Sequence, residues 1–432
     1  YYSGTDSKPW VEWFRLVTDI FLRLIKMIIA PLVFATLTVG IAKMGDTSSV
    51  GRVGIKAFAW FVGASLVSLL LGLTLVNLFQ PGVNSGIPLP ASDANAGVAA
   101  SALSLKDFIS HLVPTSIADA MARNEILQIV VFSVLFGVAC AGIGEKARGL
   151  VDALEGASYV MLKLTGIVMW FAPFAVFAAV ASAISQSGAD VLRLYGVFMA
   201  EFYFAILVLW GVLFLAAFVV LRRRAFGLFA AVREPVMLAF ATASSEAAYP
   251  KTLAMLERFG CSNRIASFVL PLGYSFNLDG SMMYCTFAVM FIAQVYGIEL
   301  SLAEQGAMLL ILMVTSKGMA GVPRASLVVI AATLVQFNIP EAGLVLLLGV
   351  DHFLDMARSA TNVIGNSVAT AVVSKWEGQL RPEGEIGPEL AAAIAPVWDR
   401  FAATRAPIAL LVLIGVAIQL MVSAVNPWAP QM

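Results

Sequence analysis

The sequence predicts an all-α polytopic membrane protein, and both composition and hydropathy support this fold class. Sixty per cent of the 432 residues are hydrophobic and 12% are charged, whereas soluble domains average about 45–50% apolar residues with glycine included and about 25% charged residues. A water-soluble globule of this size could not cover so much apolar surface. Segment 408–425, in which Gln419 and Ser423 are the polar residues, reaches the roughly 18 residues that indicate a bilayer span.

Charge and cysteine content argue against several other classes of protein. The 27 basic and 27 acidic residues balance, and the longest basic tract is Arg222–Arg224, so the chain lacks the basic surface that nucleic acid requires. Three cysteines and two histidines show no spacing typical of a disulfide framework or a zinc site. We therefore expect no nucleic-acid partner and no cofactor, and the sequence assigns no metal site firmly.

Apolar segments separated by short polar ones predict eight spans. Lys and Arg are concentrated in alternate loops, which places the loop over 80–124 on the outside because cytoplasmic loops are enriched in these residues. The expected spans are 10–43, 53–79, 125–143, 156–184, 193–221, 264–296, 341–374 and 405–424.

Two further apolar segments, 227–258 and 302–337, are interrupted at their middles by small and polar residues. Each half is expected to be too short to span, so each segment should enter and leave the bilayer on one side, as a re-entrant hairpin. Irregular backbone at membrane depth is tolerated only where it is buried in protein or lines a cavity. Two hairpin tips that approach from opposite sides therefore predict a shared interior site, in the inverted-repeat arrangement of secondary transporters.

A polar stripe runs along the predicted span 341–374. Asp351, Asp355, Arg358, Asn362 and Asn366 are spaced by 4, 3, 4 and 4 residues, which places them on one face of a helix. A charge at the bilayer centre costs roughly 2.5–3.5 kcal/mol even on the lenient insertion scale. We expect this stripe to be a binding face; the alternative is an internal Asp355–Arg358 ion pair that only holds helices together.

The preceding span contains polar residues at every second position between two glycines, Gly273 and Gly280. This spacing suits an unwound stretch, which would expose backbone amides and carbonyls toward a cavity. The alternative is a kink in which Asn277 caps its own backbone.

The chemistry of these groups predicts the ligand. Arg358 presents a planar fork suited to a carboxylate, and Asp355, one turn earlier, can accept an ammonium. A ligand with two carboxylates and one amine, glutamate or aspartate, would satisfy the whole set. If Asp355 were paired only with Arg358, a C4-dicarboxylate would fit better. Neutral donors for a second carboxylate are expected from Asn362, Ser244, Ser245 and the backbone amides of the tip Gly321-Val322-Pro323.

These residues also resemble the dicarboxylate/amino acid:cation symporters, most closely the bacterial proton-coupled glutamate transporters. The motifs that carry the resemblance are Thr242–Glu246 with Pro250, Gly273–Ser281, Thr315–Pro323, and Leu354–Arg358 continued to Asn362 and Asn366. The resemblance implies a homotrimer in the cell inner membrane, in which a scaffold holds a transport domain that moves like an elevator. The second hairpin would be the outer gate.

The resemblance further implies roles for individual residues. Arg358 would take the side-chain carboxylate, Asp355 the amino group, and Asn362 with the hairpin tips the α-carboxylate, while Ser281 lies near the substrate side chain. Ser359 accompanies this set. The implied domains are scaffold spans at 1–52 and 125–192, an external loop at 83–124, a transport domain at 53–82 and 193–376, and an extra span at 377–432.

Proton coupling is expected in preference to sodium coupling. Sodium-coupled relatives use an acidic residue where this chain has Asn366, and a Tyr and a Thr where it has Phe61 and Ala64, followed by a retained Ser65. Hard cations want anionic or hydroxyl oxygen ligands, so these differences weaken sodium sites. The proton-carrier candidates are Glu246, ranked first, Asp279 and Asp351. The residual cation-site candidates are Gly273, Asn277, Asp279, Asn362 and Asn366.

Two other classes of function fit less well. An intramembrane aspartyl enzyme could use Asp279 and Asp355 as an acid–base pair, but Arg358 on the same face would hold one carboxylate ionised. A passive anion channel would not need paired re-entrant gates. The resemblance implies that the sequence begins where the family's second span is about to start. We expect the span 405–424 to occupy the scaffold position of the family's first span; the alternative is a truncated sequence with an unrelated accessory helix.

Overall fold

A computed structural model describes residues 8–42, 47–83, 85, 89–90, 113–175, 177–178, 195–316 and 325–381. Over these ranges the chain is helical, and its one β-bridge joins Cys261 to Leu380. Six of the described helices are long and apolar enough to cross a membrane. The predicted all-helical, multi-pass architecture is therefore confirmed, whereas the span 405–424 and the tip Gly321-Val322-Pro323 lie outside the described residues.

The main helices are numbered here along the chain. They are α1 (Lys8–Ala42), α2 (Thr47–Phe79), α3 (Ile117–Arg123), α4 (Ile126–Ile143), α5 (Arg148–Val168), α6 (Gly196–Leu221), α7 (Arg224–Thr242), α8 (Ser245–Phe259), α9 (Asn263–Phe276), α10 (Asp279–Val295), α11 (Leu302–Thr315), α12 (Ala325–Gln336) and α13 (Asp351–Trp376).

Helix α13 is the centre of the packing. It contacts α2 and each helix from α6 to α10, and every residue from Met356 to Ser374 is buried. Three of its hydroxyl side chains are satisfied within the helix, since Thr361, Ser367 and Thr370 each donate to the carbonyl four residues earlier. Small and self-bonded side chains let neighbouring helices approach closely.

The predicted span 341–374 is not one continuous helix. Glu341–Leu344 forms a turn of 3₁₀-helix and Val345–Leu348 a short α-helical turn. The long helix begins only at Asp351, after Val350, whose φ of −115° and ψ of −10° stay in the right-handed region but depart from ideal α-helical values. All five residues of the predicted stripe nevertheless lie on α13.

Helices α7 and α8 form a helical hairpin joined by Ala243 and Ser244. Ala243 takes the left-handed conformation, with φ 48° and ψ 38°, and so reverses the chain. Helix α7 has 19 residues and is apolar enough to cross a bilayer by itself, so the expectation that each half is too short is wrong for this arm. The short connection and the packing of α7 on α8 define the hairpin instead.

A buried ion pair binds the two arms of this hairpin. Lys251 Nζ of α8 lies 2.6 Å from Glu234 Oε2 of α7, and the Lys251 side chain is 1% exposed. An ammonium in such a position is stable only with a close counter-charge, because desolvation of an unpaired ion costs several kcal/mol.

Helix α2 is bonded to the second half of the chain near both of its ends. Near its start, Arg52 Nε and Lys56 Nζ lie 3.1 and 2.6 Å from the Glu377 carboxylate, directly after α13. Burial raises the pKa of Glu377, but the hydrogen bonds from Lys56 and Arg52 outweigh burial and hold that pKa below its ordinary value. Near its end, Asn77 Nδ2 donates to Gln305 Oε1 of α11 at 2.7 Å.

We expect Lys251→Met to lower the melting temperature of the protein in detergent micelles. The substitution leaves the Glu234 carboxylate without its ammonium, and removal of one partner of a buried pair costs about 3 kcal/mol. The double variant with Glu234→Met should recover most of the loss. Arg148→Met is the control, since Arg148 and Glu145 form an exposed pair worth about 0.5 kcal/mol. Equal melting of the Lys251 and Arg148 variants would contradict a structural role for the buried pair.

Candidate functional site

The unwound stretch predicted between Gly273 and Ser281 is present and short. Helix α9 ends at Phe276 and α10 begins at Asp279, with Asn277 at φ −125° and ψ 62° and Leu278 at φ −97° and ψ 62°. The break leaves the first amide groups of α10 without partners inside their own helix.

Asn362 of α13 provides those partners. Its Oδ1 accepts hydrogen bonds from the backbone N–H groups of Gly280 at 2.9 Å and Ser281 at 3.4 Å, and its Nδ2 donates to Ser281 Oγ at 3.1 Å. Two predicted substrate residues, Asn362 and Ser281, are thus brought together. In this structure they cap the broken helix.

Arg358 lies at the centre of a buried charge cluster. Its Nη2 is 2.9 Å from Asp355 Oδ1 and 3.3 Å from Asp351 Oδ1, and the Arg358 side chain is 3% exposed. The guanidinium carbon lies 3.9 Å from the centroid of the Tyr284 ring, whose hydroxyl donates to Asp351 Oδ1 at 3.1 Å. Both carboxylates and the aromatic face therefore stabilise the cation.

The same guanidinium has unused binding capacity. Arg358 Nε and Nη1 are buried and have no hydrogen-bond partner among the described residues. Buried donors of this kind cost free energy until an acceptor reaches them. A carboxylate with two oxygens in one plane is the acceptor that a guanidinium fork fits best.

The two aspartates of the cluster differ in accessibility. The Asp355 side chain is 38% exposed and the Asp351 side chain 11% exposed. Ser359, buried on the next turn, lies within hydrogen-bonding reach of Asp355. Asp355 can therefore meet a solute, whereas Asp351 is enclosed behind Arg358.

A second polar cluster lies around Asp279. Ser68 Oγ of α2 donates to Asp279 Oδ1 at 3.2 Å, and Asn277 Nδ2 donates to Asp279 Oδ2 at 3.0 Å and to Asn366 Oδ1 at 3.3 Å. Asn277 Oδ1 and Asn366 Nδ2 are buried without a hydrogen-bond partner in the part of the chain that the structure describes. Predicted cation-site residues are thus brought together, with Ser68 in addition.

Glycines make the approach of this cluster possible. A Cβ atom on Gly365 would collide with Asp279 Oδ2, and one on Gly273 would collide with Asn366 Oδ1. Only a residue without a side chain leaves room for such contacts between helices.

The first hairpin tip brings Ser244, Ser245 and Glu246 to the start of α8. Ser244 Oγ accepts from the Ala247 backbone N–H at 3.3 Å and so caps the helix, and Ser245 follows it half-buried as the first residue of α8. Gly321, Val322 and Pro323 of the second tip lie outside the described residues.

Glu246 faces a small crevice between its own hairpin and α1, and Lys26 of α1 lies within electrostatic range of its carboxylate. Among the described residues, the ion-pair partners of Arg358 are Asp351 and Asp355, and Glu246 is not one of them. The residues that line the crevice with Glu246 are Ile29, Val33, Ile126, Tyr249, Pro271 and Tyr274.

Several residues of the site have only weak signals in the sequence. Tyr284 lies in an apolar helix, and its spacing from Ser281 gives no sign that it contacts Arg358. Ser68 has a detectable signal, because it follows Ser65 by three residues in an apolar stretch of α2 and so shares its face. Trp210 donates through Nε1 to Thr361 Oγ1 at 2.8 Å, which fixes α6 against α13.

The fold and this site define a multi-pass membrane transporter. A helical bundle with apolar outer faces encloses ionisable groups and a broken helix, the combination expected where a solute crosses a bilayer. The model of the sodium:dicarboxylate symporter family matches residues 1–376. The chain belongs to this family, so it is a symporter and not an enzyme, as the sequence predicts.

The relatives of this chain carry two kinds of name. The chain is 40% identical over 377 residues to a proton/sodium-glutamate symport protein of Geobacillus stearothermophilus, covering 85% of this chain and 88% of the relative. It is 42% identical over 386 residues to a C4-dicarboxylate transport protein of Anaeromyxobacter sp. (strain K), covering 88% and 86%. A proton/sodium-glutamate symport protein of Bacillus subtilis (strain 168) is 38% identical over 388 residues, covering 88% and 89%.

We expect Gly365→Ala to disrupt the Asp279 cluster, because the added methyl group has no space beside the carboxylate. Overpacking of this kind typically costs about 1–3 kcal/mol. Thermal unfolding in detergent micelles should show a lower melting temperature. Gly211→Ala in α6 is the control, since its Cβ would meet no atom within 4 Å. Equal melting of the two variants would contradict the close approach.

Proposed function

We propose that this symporter imports acidic amino acids, glutamate and aspartate, together with protons across the cell inner membrane. The observation that carries the proposal is the Arg358 guanidinium, buried, with two unpartnered donors, beside the partly exposed carboxylate of Asp355. A dicarboxylate with an amine offers one group to each: a carboxylate for the fork and an ammonium for Asp355.

The other carboxylate of the substrate needs neutral donors. The start of α8 offers backbone amides and Ser245, and Asn362 offers its side chain if it exchanges its present bonds with Gly280 and Ser281. The amides of the tip Gly321-Val322-Pro323 would complete this half of the site. Such groups bind an α-carboxylate without adding charge to the cavity.

C4-dicarboxylate transport is the second candidate, and one contact favours it. Asp355 is already paired with Arg358 at 2.9 Å, and a carboxylate that keeps this partner is less available to an ammonium. Relatives of both names match the chain at about the same identity.

Protons suit the site better than sodium. Asn366 brings a neutral amide to the Asp279 cluster, and its Nδ2 is a buried donor without a partner among the described residues. Phe61 is buried and brings no oxygen ligand. Hard cations bind through oxygen, preferably anionic oxygen.

The proposed mechanism is alternating access by an elevator movement. Helices α1, α4 and α5 pack together and would form a scaffold, with trimer contacts, while α2 and α6–α13 would carry the substrate. The α7–α8 hairpin and the α11–α12 segment would be re-entrant gates from opposite sides. A transporter built in this way keeps one substrate site and changes the side to which it opens.

Uptake by purified protein in liposomes tests the proposal. Labelled glutamate and aspartate should accumulate under an inwardly directed proton gradient and compete with each other. Accumulation that requires a sodium gradient would contradict proton coupling, and uptake of succinate in preference to both amino acids would favour the C4-dicarboxylate alternative.

We expect Arg358→Ala to reduce glutamate uptake at least roughly a hundredfold, because loss of charge-assisted bonds to a carboxylate costs about 3 kcal/mol. Initial rates in liposomes provide the measurement. Arg123→Ala is the control, since Arg123 forms an exposed pair with Asp119 in α3. Normal glutamate affinity in the Arg358 variant would rule out its assigned role.

Asp355→Asn separates the two substrate classes. If Asp355 binds the amine, the variant should lose about tenfold to a hundredfold in glutamate affinity, in line with about 1.5–3 kcal/mol for a bond to a charged group. Succinate has no amine, and its affinity should not fall. Competition against labelled substrate gives both affinities, and an equal loss for glutamate and succinate would argue against an amine contact.

A further inference from the structure

Among the three carboxylates that the sequence proposes as proton carriers, Asp351 is the one that bonds to Arg358. Asp279 accepts from Ser68 and Asn277, and Glu246 faces the crevice beside α1. We propose that Asp351 is the group that takes up the coupled proton, because the substrate carboxylate would share with it the single positive charge of the Arg358 guanidinium. This inference rests on the proposed function.

Charge balance gives the first step of the argument. With Asp351 and Asp355 ionised, the cluster around Arg358 has one positive and two negative charges. Glutamate and aspartate each add one further net negative charge. Excess charge is costly in an enclosed site of low dielectric constant, so substrate binding favours uptake of one proton.

Bonding geometry identifies where that proton goes. Asp355 would remain ionised when the substrate ammonium lies beside it. Asp351 has only Arg358 as a close counter-charge among the described residues, and at 3.3 Å this contact is longer than the 2.9 Å contact of Asp355. A substrate carboxylate on the guanidinium fork therefore weakens the interaction that keeps Asp351 ionised.

Tyr284 fits both protonation states of Asp351. Its hydroxyl now donates to Asp351 Oδ1 at 3.1 Å. A hydroxyl group can also accept, so a protonated Asp351 could donate to Tyr284, and neither group would lose its buried hydrogen bond. A proton from solvent would then be held on a carboxylate oxygen without any covalent change in the protein.

Other ionisable groups surround Asp351 from its own helix and from α10. Arg358 and Asp355 belong to the cluster, and His352 lies exposed on the flank of α13. From α10, Cys285 is within electrostatic range of Arg358 and Asp351, and Tyr284 is bonded directly. From α6, Tyr203 donates to the backbone carbonyl of the neighbouring Phe353 at 2.7 Å. The charged groups of this set are Arg358 and the two aspartates.

Calorimetry of substrate binding tests the inference. Titration of the detergent-solubilised protein with glutamate, in two buffers of different ionisation enthalpy, gives the number of protons taken up per substrate bound. The unaltered protein should take up about one proton, and its dissociation constant should rise with pH by up to about tenfold per pH unit. Asp351→Asn should take up none, and its dissociation constant should not change with pH.

Glu246→Gln is the matched carboxylate control and should still take up about one proton. Proton uptake that persists in Asp351→Asn, or disappears in Glu246→Gln alone, would overturn the inference. If the unaltered protein binds none of glutamate, aspartate and succinate, the proposed function fails, and this result differs from binding without proton uptake.

Tyr284→Phe keeps the test decisive if Asp351→Asn does not fold or bind. The phenyl ring preserves the aromatic face over Arg358 but removes the donor to Asp351. Proton uptake should remain at about one, and the pH at which affinity starts to weaken should move upward, because a hydrogen bond to an ionised carboxylate is about twice as strong as one between neutral groups, so the ionised state of Asp351 loses more than the protonated state. An unchanged pH dependence in this variant would overturn the inference, since a purely structural tyrosine would not move it.

Discussion

The ion pairs of Arg358 are the interactions on which the site depends. A guanidinium remains charged in a protein under all ordinary conditions, and enclosing it between helices requires counter-charges close by. Asp355 and Asp351 supply them from the same helix, at i−3 and i−7, and Tyr284 adds the face of its ring. Because one nitrogen makes both ion pairs, the rest of the fork is left for a ligand.

Enclosing α13 imposes a second constraint on the helices around it. Other helices can approach the polar helix α13 only where glycine and short hydroxyl side chains leave space, as at Gly365 and Gly273. The break between α9 and α10 is tolerable because Asn362 satisfies the amides that the break exposes. The polar face of α13, the close packing around it and the break between α9 and α10 therefore depend on one another.

Much of this arrangement can be predicted from sequence, because it depends on local pattern. The spacing of Asp351, Asp355 and Arg358 predicts one helical face, and the alternation of polar residues after Gly273 predicts the unwound stretch. Contacts between segments that are distant in the chain leave weaker signals in the sequence. Tyr284 looks like any aromatic residue of an apolar helix, and Ser68 contacts a residue more than 200 positions away.

Helix boundaries were predictable only where a polar signal accompanies them. The start of α13 at Asp351 follows a turn at Val350 inside an apolar run, and hydropathy does not register such a turn. Helix α7 is longer than the sequence predicts, because it begins at Arg224, within the basic tract and three residues before the predicted start of the hairpin.

The attachments of α2 determine how this helix can move. It is bonded to Glu377 at one end, to Asp279 in its middle and to Gln305 at the other end. Because α2 is bonded to its neighbours at three levels, it cannot tilt or slide alone without breaking the hydrogen bonds at two of these levels. Although α2 follows α1 in the chain, it is therefore mechanically part of the bundle built from the distant half of the sequence.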